Sequence, residues 1–195
     1  MSSSLFQNFI KTVQFRFSNI FVDYGHNEWS LEARNAVLKN IGISIQRGSG
    51  IDRDFDYMVM GAKITVGEGS IIGIHNHFWN YCPIEIGRYC TFAADIILTN
   101  GGHDKSTFEP FSGPIKIGNG VWIGAGAKVV GANITVGDNA IIGAGALVLK
   151  DVPAETIVAG VPAKIIGKRD IPKKVWHLGG NYFCPRTFRL FTEQK

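Results

Sequence analysis

The most regular feature of this sequence is a period of six in its apolar residues. Large apolar residues recur every six positions through residues 60–98 and again through 117–148, with one slip of two residues and one slip of one. The positions are Met60, Val66, Ile72, Phe78, Ile84, Ile86, Phe92, Leu98, Ile117, Ile123, Val129, Val136, Ile142 and Val148. This period matches neither a helix at about 3.6 residues nor a strand at about 2. It predicts short strands joined by tight corners and stacked in coils, which is an all-β solenoid.

Two more positions of the repeat are restricted in residue type. Gly directly follows many of the apolar residues, and a small residue is common four positions after them, as at Ser70, Cys90, Ala127, Ala140 and Ala146. We expect the large and the small residue to point inward, where three walls meet. We expect Gly to supply corner conformations that are costly for other residues. On the same pattern Cys82 and Cys90 are predicted to be core residues rather than nucleophiles.

The segments outside the repeat predict helices before it and a tail after it. Apolar residues of 5–21 lie on one helical face, and a second helix is predicted over 29–40. We expect residues 1–41 to cap the solenoid, 42–167 to form it with a loop at 103–114, and 168–195 to form the tail. Association of the first helix with a membrane surface is the weaker alternative to capping.

Composition and charge limit the classes of partner and the cellular compartment that we expect for this protein. The 24 glycines among 195 residues are spread regularly, which supports a repeat rather than a linker. A net charge of +4 with dispersed Lys and Arg predicts no nucleic-acid partner. Three cysteines without a CxxC spacing favour a reducing compartment, and the amino-terminal segment lacks a signal-peptide pattern, so we expect a cytoplasmic protein. The basic residues Lys168, Arg169, Lys173 and Lys174 either contact phosphates or form a solvated tail.

The segment IGNGVWIGAGAKVVGANITVGDNAIIGAGALVLKDVPAETIVAGVPAKIIG, residues 117–167, resembles the hexapeptide-repeat acyltransferases, and the likeness extends over residues 58–168. The resemblance implies a left-handed parallel β-helix, acetyl-CoA as acyl donor, no metal, and a homotrimer with active sites between subunits. The segment IEIGRYCTFAADIILTNGGHD, followed by STFEPF, resembles the xenobiotic and polysaccharide O-acetyltransferase branch. The implied acceptor is a small molecule or a glycan.

The repeat stops at residues 98–111, LTNGGHDKSTFEPF, and His103 lies in this interruption. Acetylation of an alcohol requires its hydroxyl to lose a proton, and histidine suits this task because its ordinary pKa is about 6.5. A base must also protrude from a rigid wall to reach its substrate. With the family resemblance, these observations predict His103 as the general base. Related enzymes often carry a longer loop here, which leaves the acceptor open.

The resemblance also implies binding residues by position. The expected coenzyme A contacts are Trp122, Ala125, Ala144, Leu149, Lys150, Lys164 and Lys168. Polar and aromatic groups that suit a sugar predict an acceptor side formed by Asn76, His77, Trp79, Asn80 and Asp104.

Together these observations predict an acetyl-CoA-dependent O-acetyltransferase acting on a sugar hydroxyl in surface polysaccharide biosynthesis. One alternative keeps the chemistry and changes the acceptor to a streptogramin- or chloramphenicol-type antibiotic. A second is a gamma-type zinc carbonic anhydrase, suggested by His75, His77 and His103. A third is a non-catalytic solenoid that serves as an assembly module.

Overall fold

Short strands account for most of the regular structure. The computed structural model describes residues 35–52, 54–57 and 62–171, and the backbone of 175–176, 182–184 and 189–190. In chain order the strands are β1 (Ile43–Ile45), β2 (Gly50–Ile51), β3 (Asp56–Tyr57), β4 (Ile64–Val66), β5 (Ile71–Ile72), β6 (His77–Trp79), β7 (Ile84–Ile86), β8 (Thr91–Phe92), β9 (Ile97–Thr99), β10 (Gly101–His103), β11 (Pro110–Ser112), β12 (Ile115–Ile117), β13 (Trp122–Ile123), β14 (Lys128–Val130), β15 (Ile134–Val136), β16 (Ile141–Ile142), β17 (Leu147–Val148), β18 (Thr156–Ala159), β19 (Lys164–Lys168), β20 (Val175–Trp176), β21 (Tyr182–Cys184) and β22 (Arg189–Leu190).

Three sheets form the walls of a solenoid. Face A contains β1, β4, β7, β12 and β15; face B contains β2, β5, β8, β13, β16, β18 and β19; face C contains β3, β6, β9, β14 and β17. Successive coils pair in parallel, and the chain passes from A to B to C before returning to A. We name the corners the A–B, B–C and C–A edges. The predicted solenoid is confirmed, with about six coils.

The interior contains the residues that the six-residue period selects. Every described large residue of the period, from Val66 to Val148, is at most 4% exposed. The small residues Ser70, Cys90 and Ala127 are fully buried beside them. Burying a large aliphatic side chain contributes roughly 1.5–3 kcal/mol, so this column of side chains is the main source of stability. Met60 lies outside the described residues.

The repeat glycines serve close packing between coils, so the predicted reason for them is wrong. A Cβ on Gly87 would lie 2.6 Å from the carbonyl oxygen of Gly118, and a Cβ on Gly67 would lie 2.6 Å from that of Gly87. Left-handed backbone occurs two residues further along the corners, for example at His75 with φ 55° and Asn139 with φ 58°. The glycine is needed because the next coil leaves no room for a side chain.

The two described cysteines have different surroundings. Cys90 is fully buried, and this burial raises the pKa of its thiol to about 12, so it is confirmed as an inert core residue. Cys82 is partly exposed, with its Sγ 3.3 Å from the Ser112 Oγ. The prediction of a core position is therefore wrong for Cys82, because its corner faces an inserted hairpin.

The segment after the last coil folds back onto the solenoid. Strand β19 pairs antiparallel with β18, and the Arg169 Nη1 donates to the carbonyl oxygens of Gly120 at 2.7 Å and Asn139 at 3.2 Å. Burial lowers the pKa of Arg169. Arg169 therefore fastens this segment to the preceding coils, so neither alternative given for the basic cluster, phosphate contact or a solvated tail, describes this residue.

The predicted ends of the chain are partly outside the described residues. Residues 35–40 are helical, within the second predicted helix. The first predicted helix lies outside the described part, and so does the membrane contact suggested for it. The tail residues Lys173 and Lys174 also lie outside it. Within that part, no helix has the length and apolar character needed to cross a membrane.

Candidate active site

The interruption of the repeat forms a hairpin that leaves the C–A edge. Strands β10 and β11 pair antiparallel and connect β9 of face C to β12 of face A. His103 lies at the outer end of β10, opposite Pro110, and its side chain is exposed. We call residues 101–112 the arm. As predicted, His103 protrudes from the wall.

A hydrogen bond within the arm determines the tautomer of His103. The His103 Nδ1 lies 2.8 Å from the carbonyl oxygen of Phe108. A carbonyl oxygen can only accept, so Nδ1 carries the proton in the neutral imidazole. The Nε2 atom is then unprotonated and can accept a proton from a substrate. Phe108 has a φ of 58°, which is uncommon outside glycine.

Asp104 shapes the loop at the tip of the arm. Its Oδ1 accepts hydrogen bonds from the backbone N–H groups of Ser106 at 2.8 Å and Thr107 at 2.9 Å. These two bonds lower the pKa of the Asp104 carboxyl, which therefore stays ionised. The structure gives Asp104 a role in turn formation, and its acceptor contact stays a prediction.

Asn100 anchors the root of the arm, and the sequence analysis missed it. Its side chain is fully buried, and its Nδ2 donates to the carbonyl oxygens of Cys82 at 2.7 Å and Pro83 at 3.4 Å. Its Oδ1 accepts from the Cys82 N–H at 3.2 Å. These bonds tie the residue before Gly101 to the corner of the preceding coil. An asparagine directly before a break in the period was the available signal.

Replacing Asn100 with aspartate is expected to lower kcat for acetyl transfer by about 10- to 100-fold, because a displaced arm misplaces the base. The KM for acetyl-CoA should not change. Both are measured by steady-state thiol release at a temperature where circular dichroism reports folded protein.

The matched control for Asn100→Asp is Ser70→Ala on the A–B edge. The buried Ser70 Oγ donates to the Gly87 carbonyl oxygen at 2.7 Å and accepts from the Cys90 N–H at 2.9 Å. This variant also loses bonds between coils, but it should keep the wild-type kcat. An unchanged kcat in folded Asn100→Asp would show that Asn100 does not position the base.

The predicted acceptor residues fall into two groups. Asn76 and Asn80 are fully buried. The Asn76 Nδ2 donates to the carbonyl oxygen of Gly73 at 2.7 Å, and the Asn80 Nδ2 donates to the carbonyl oxygen of Ala62. Their prediction as acceptor-lining residues is wrong, because the coil corners turn these amides inward. His77 and Trp79 do lie on the outer surface of face C, with Trp79 44% exposed.

Three of the predicted coenzyme A contacts surround one cavity at the carboxyl-terminal end of the C–A edge. The cavity has a volume of about 420 Å³, and its lining includes Leu149, Lys150 and Lys164 together with Pro153 and Ile165. Lysine ammonium groups suit phosphate, and an apolar lining suits the pantetheine chain. These residues therefore fit the two chemical parts of coenzyme A. Lys168 is exposed on β19.

The remaining predicted cofactor contacts lie elsewhere on the solenoid. Trp122 points outward from face B, in register with Thr91 and Ile141 on the neighbouring strands. Ala125 and Ala144 are exposed at the B–C edge. Face B is opposite the C–A edge of a three-sided solenoid, so Trp122 and His103 cannot border the same site within one subunit.

The histidines near face C are paired with carboxylates. The His75 Nε2 is 3.3 Å from the Asp54 Oδ2, and the His77 Nδ1 is 3.4 Å from the Asp56 Oδ2. His103 projects from the C–A edge instead. Among the described residues, no three His, Cys, Asp or Glu side chains are grouped closely enough to hold a metal ion.

Known proteins share this architecture. The family described as bacterial transferase hexapeptide (six repeats) matches residues 114–150. The chain is 28% identical to galactoside O-acetyltransferase of Escherichia coli K12 over 157 residues, which cover 77% of this chain and 76% of that protein. A solved structure of galactoside acetyltransferase in complex with coenzyme A has a TM-score of 0.72 and 25% identity, and covers 87% of this chain and 84% of that one. The chain belongs to the hexapeptide-repeat acetyltransferases.

Membership of the hexapeptide-repeat acetyltransferases confirms two predictions: the solenoid is a left-handed parallel β-helix, and the protein is an acyltransferase. The galactoside acetyltransferase neighbour binds coenzyme A, which supports the predicted acyl donor, acetyl-CoA. A second relative is similar over a shorter span. Serine acetyltransferase of Escherichia coli K12 is 60% identical over 94 residues, which are 46% of this chain and 33% of that protein.

Proposed function

We propose that this hexapeptide-repeat acetyltransferase transfers the acetyl group of acetyl-CoA to a sugar hydroxyl, with His103 as general base. The observation that carries the proposal is the 2.8 Å bond between the His103 Nδ1 and the Phe108 carbonyl oxygen. It leaves Nε2 as the basic atom of an exposed imidazole. A base held by its own loop keeps its orientation without a carboxylate partner.

The proposed transfer occurs in one ternary complex. The Nε2 of His103 accepts the proton of the acceptor hydroxyl as its oxygen attacks the thioester carbonyl carbon. The new C–O bond forms, the C–S bond breaks, and the leaving sulfur takes the proton back from the imidazolium. Lys150 and Lys164 would hold coenzyme A phosphates beside the cavity, and Leu149 would contact its apolar arm. The expected contacts at Trp122, Ala125, Ala144 and Lys168 remain part of this proposal.

Two relatives support different acceptors. The galactoside O-acetyltransferase matches 77% of the chain and favours a sugar, and we propose a precursor of a surface polysaccharide. The serine acetyltransferase is 60% identical over a shorter span and makes the hydroxyl of serine the second candidate. Both acceptors present an alcohol to the same base, so the reaction steps are unchanged.

We further propose that the active enzyme is a homotrimer in the cytoplasm. Face B presents an outward row in register, formed by Ile71, Thr91, Trp122, Ile141 and Ile157. A largely apolar row of this kind suits an interface with a second copy. Such an interface would bring Trp122 of one subunit towards His103 of another.

The proposed function is tested by measuring thiol release from acetyl-CoA with an acceptor panel. The panel contains methyl β-D-galactopyranoside, a nucleotide sugar, L-serine and chloramphenicol. We expect turnover with a sugar, and native mass spectrometry should show three copies. Turnover with serine or chloramphenicol alone would contradict the sugar proposal, and no turnover with any acceptor would favour a non-catalytic solenoid.

A further inference from the structure

The arm has two faces that differ in what they contact. Side chains alternate along each strand, and paired residues of an antiparallel ribbon share a face. Gly101 pairs with Ser112 and His103 pairs with Pro110, so these four residues belong to one face. Gly102 and Phe111 pair with each other and belong to the opposite face. We call the first the histidine face.

The ring of Tyr81 lies on the histidine face of the arm. A Cβ built on Gly101 would meet the Tyr81 Cδ2 at 2.5 Å and Cγ at 2.9 Å, so the ring occupies the space that a side chain at Gly101 would fill. The next residue supports this placement, because the Cys82 Sγ is 3.3 Å from the Oγ of Ser112, which shares that face. The aromatic ring of Phe111 lies instead against Gly102, on the other face.

The position of the Tyr81 ring relates it directly to the base. Gly101 and His103 are two residues apart on one strand, so their Cα atoms lie about 7 Å apart along the strand. Both positions face the same side of the arm. The Tyr81 ring lies against Gly101 on one side, and the residue as a whole is still 57% exposed. An exposed aromatic residue therefore lies on the same face of the arm as the imidazole, at the neighbouring side-chain position along the strand.

We propose that Tyr81 is the platform on which the pyranose ring of the acceptor lies. This inference rests on the proposed sugar acetyl transfer and specifies which part of the acceptor is recognised. The C–H groups on one face of a pyranose are apolar and pack on an aromatic ring, while the hydroxyls at its rim remain free. A pyranose on Tyr81 presents a rim hydroxyl towards Nε2 of His103.

The same geometry explains the glycine at position 101. A larger residue there would displace the Tyr81 ring from the arm and from its alignment with His103. Gly101 is therefore required by the platform.

The test compares Tyr81→Ala and Tyr81→Phe with the wild type in the thiol-release assay. Loss of the ring is expected to raise the KM for methyl β-D-galactopyranoside about three- to tenfold. Tyr81→Phe keeps the ring and should restore the wild-type KM. With L-serine, which has no ring to stack, Tyr81→Ala should leave the KM unchanged.

The matched control is Phe111→Leu, which changes an aromatic residue of similar exposure on the other face of the arm; it should leave the galactoside KM unchanged. An equal rise in KM for Phe111→Leu and Tyr81→Ala, or no rise for Tyr81→Ala, would overturn the platform.

Saturation-transfer NMR with the galactoside measures binding without turnover. Saturation of its ring protons by the wild type, lost in Tyr81→Ala, supports the platform even if the acetyl acceptor proves to be another alcohol. Equal saturation in both proteins, or none with the wild type, overturns it.

Discussion

Replacing His103 with alanine is expected to lower kcat for acetyl transfer by about 10²- to 10⁴-fold, the usual contribution of a general base. The side chain is exposed and bonded to the Phe108 carbonyl oxygen within its own loop. Its removal therefore should not disturb the buried core, and thermal unfolding should stay close to that of the wild type. Thiol release at saturating acetyl-CoA and acceptor measures the effect.

Two variants separate the loss of a base from the loss of a contact. His103→Asn places an amide N–H where Nδ1 donates to the Phe108 carbonyl oxygen but has no basic nitrogen, so it should be as inactive as the alanine variant. His75→Asn removes an imidazole at the B–C edge and should retain wild-type turnover. Substantial activity in His103→Asn would mean that His103 contributes to arm structure and not to proton transfer.

Replacing Gly87 with alanine is expected to destabilise the solenoid by about 3 kcal/mol, at the upper end of the cost of overpacking. The new Cβ would lie 2.6 Å from the Gly118 carbonyl oxygen and 2.7 Å from its carbonyl carbon. Both are backbone atoms of the next coil and cannot move without separating β7 from β12. The midpoint of thermal unfolding should fall by roughly 6–12 °C for a chain of this size.

The control for Gly87→Ala is Gly167→Ala. A Cβ on Gly167 meets nothing within 4 Å among the described residues, and Gly167 has no left-handed φ. Its unfolding midpoint should stay within about 2 °C of the wild type, since a surface substitution of this kind changes stability little. Equal midpoints for Gly87→Ala and the wild type would contradict the contact between coils as the reason for the glycine.

The period of six predicts the solenoid because it reports which residues face inward. Val66 and Val148, at the two ends of the described repeat, are both buried as the period requires. The same pattern does not reveal why Gly87 is a glycine, because the constraint comes from Gly118, 31 positions later. Contacts between coils join residues that are distant in sequence, and a local pattern records them only as a preference for small residues.

Sequence reasoning reaches those site residues that interrupt the six-residue period. It does not reach residues whose role depends on neighbours that only the fold brings close. His103 is predicted as the base because it lies in the interruption of the period, and the structure exposes it there. Asn76 and Asn80 were misassigned because a polar residue in a corner can face either solvent or backbone, and their amides bind carbonyl oxygens. Tyr81 was missed because only the folded arm brings Gly101 against its ring.

The most direct test of the catalytic assignment is the tautomer of His103. Long-range proton–nitrogen correlation NMR on uniformly ¹⁵N-labelled protein, assigned by comparison with His103→Asn, distinguishes the two ring nitrogens. With the imidazole neutral, Nδ1 should carry the proton and Nε2 should be unprotonated. A proton on Nε2 would contradict the assignment, because that nitrogen could not then accept the proton of an acceptor hydroxyl.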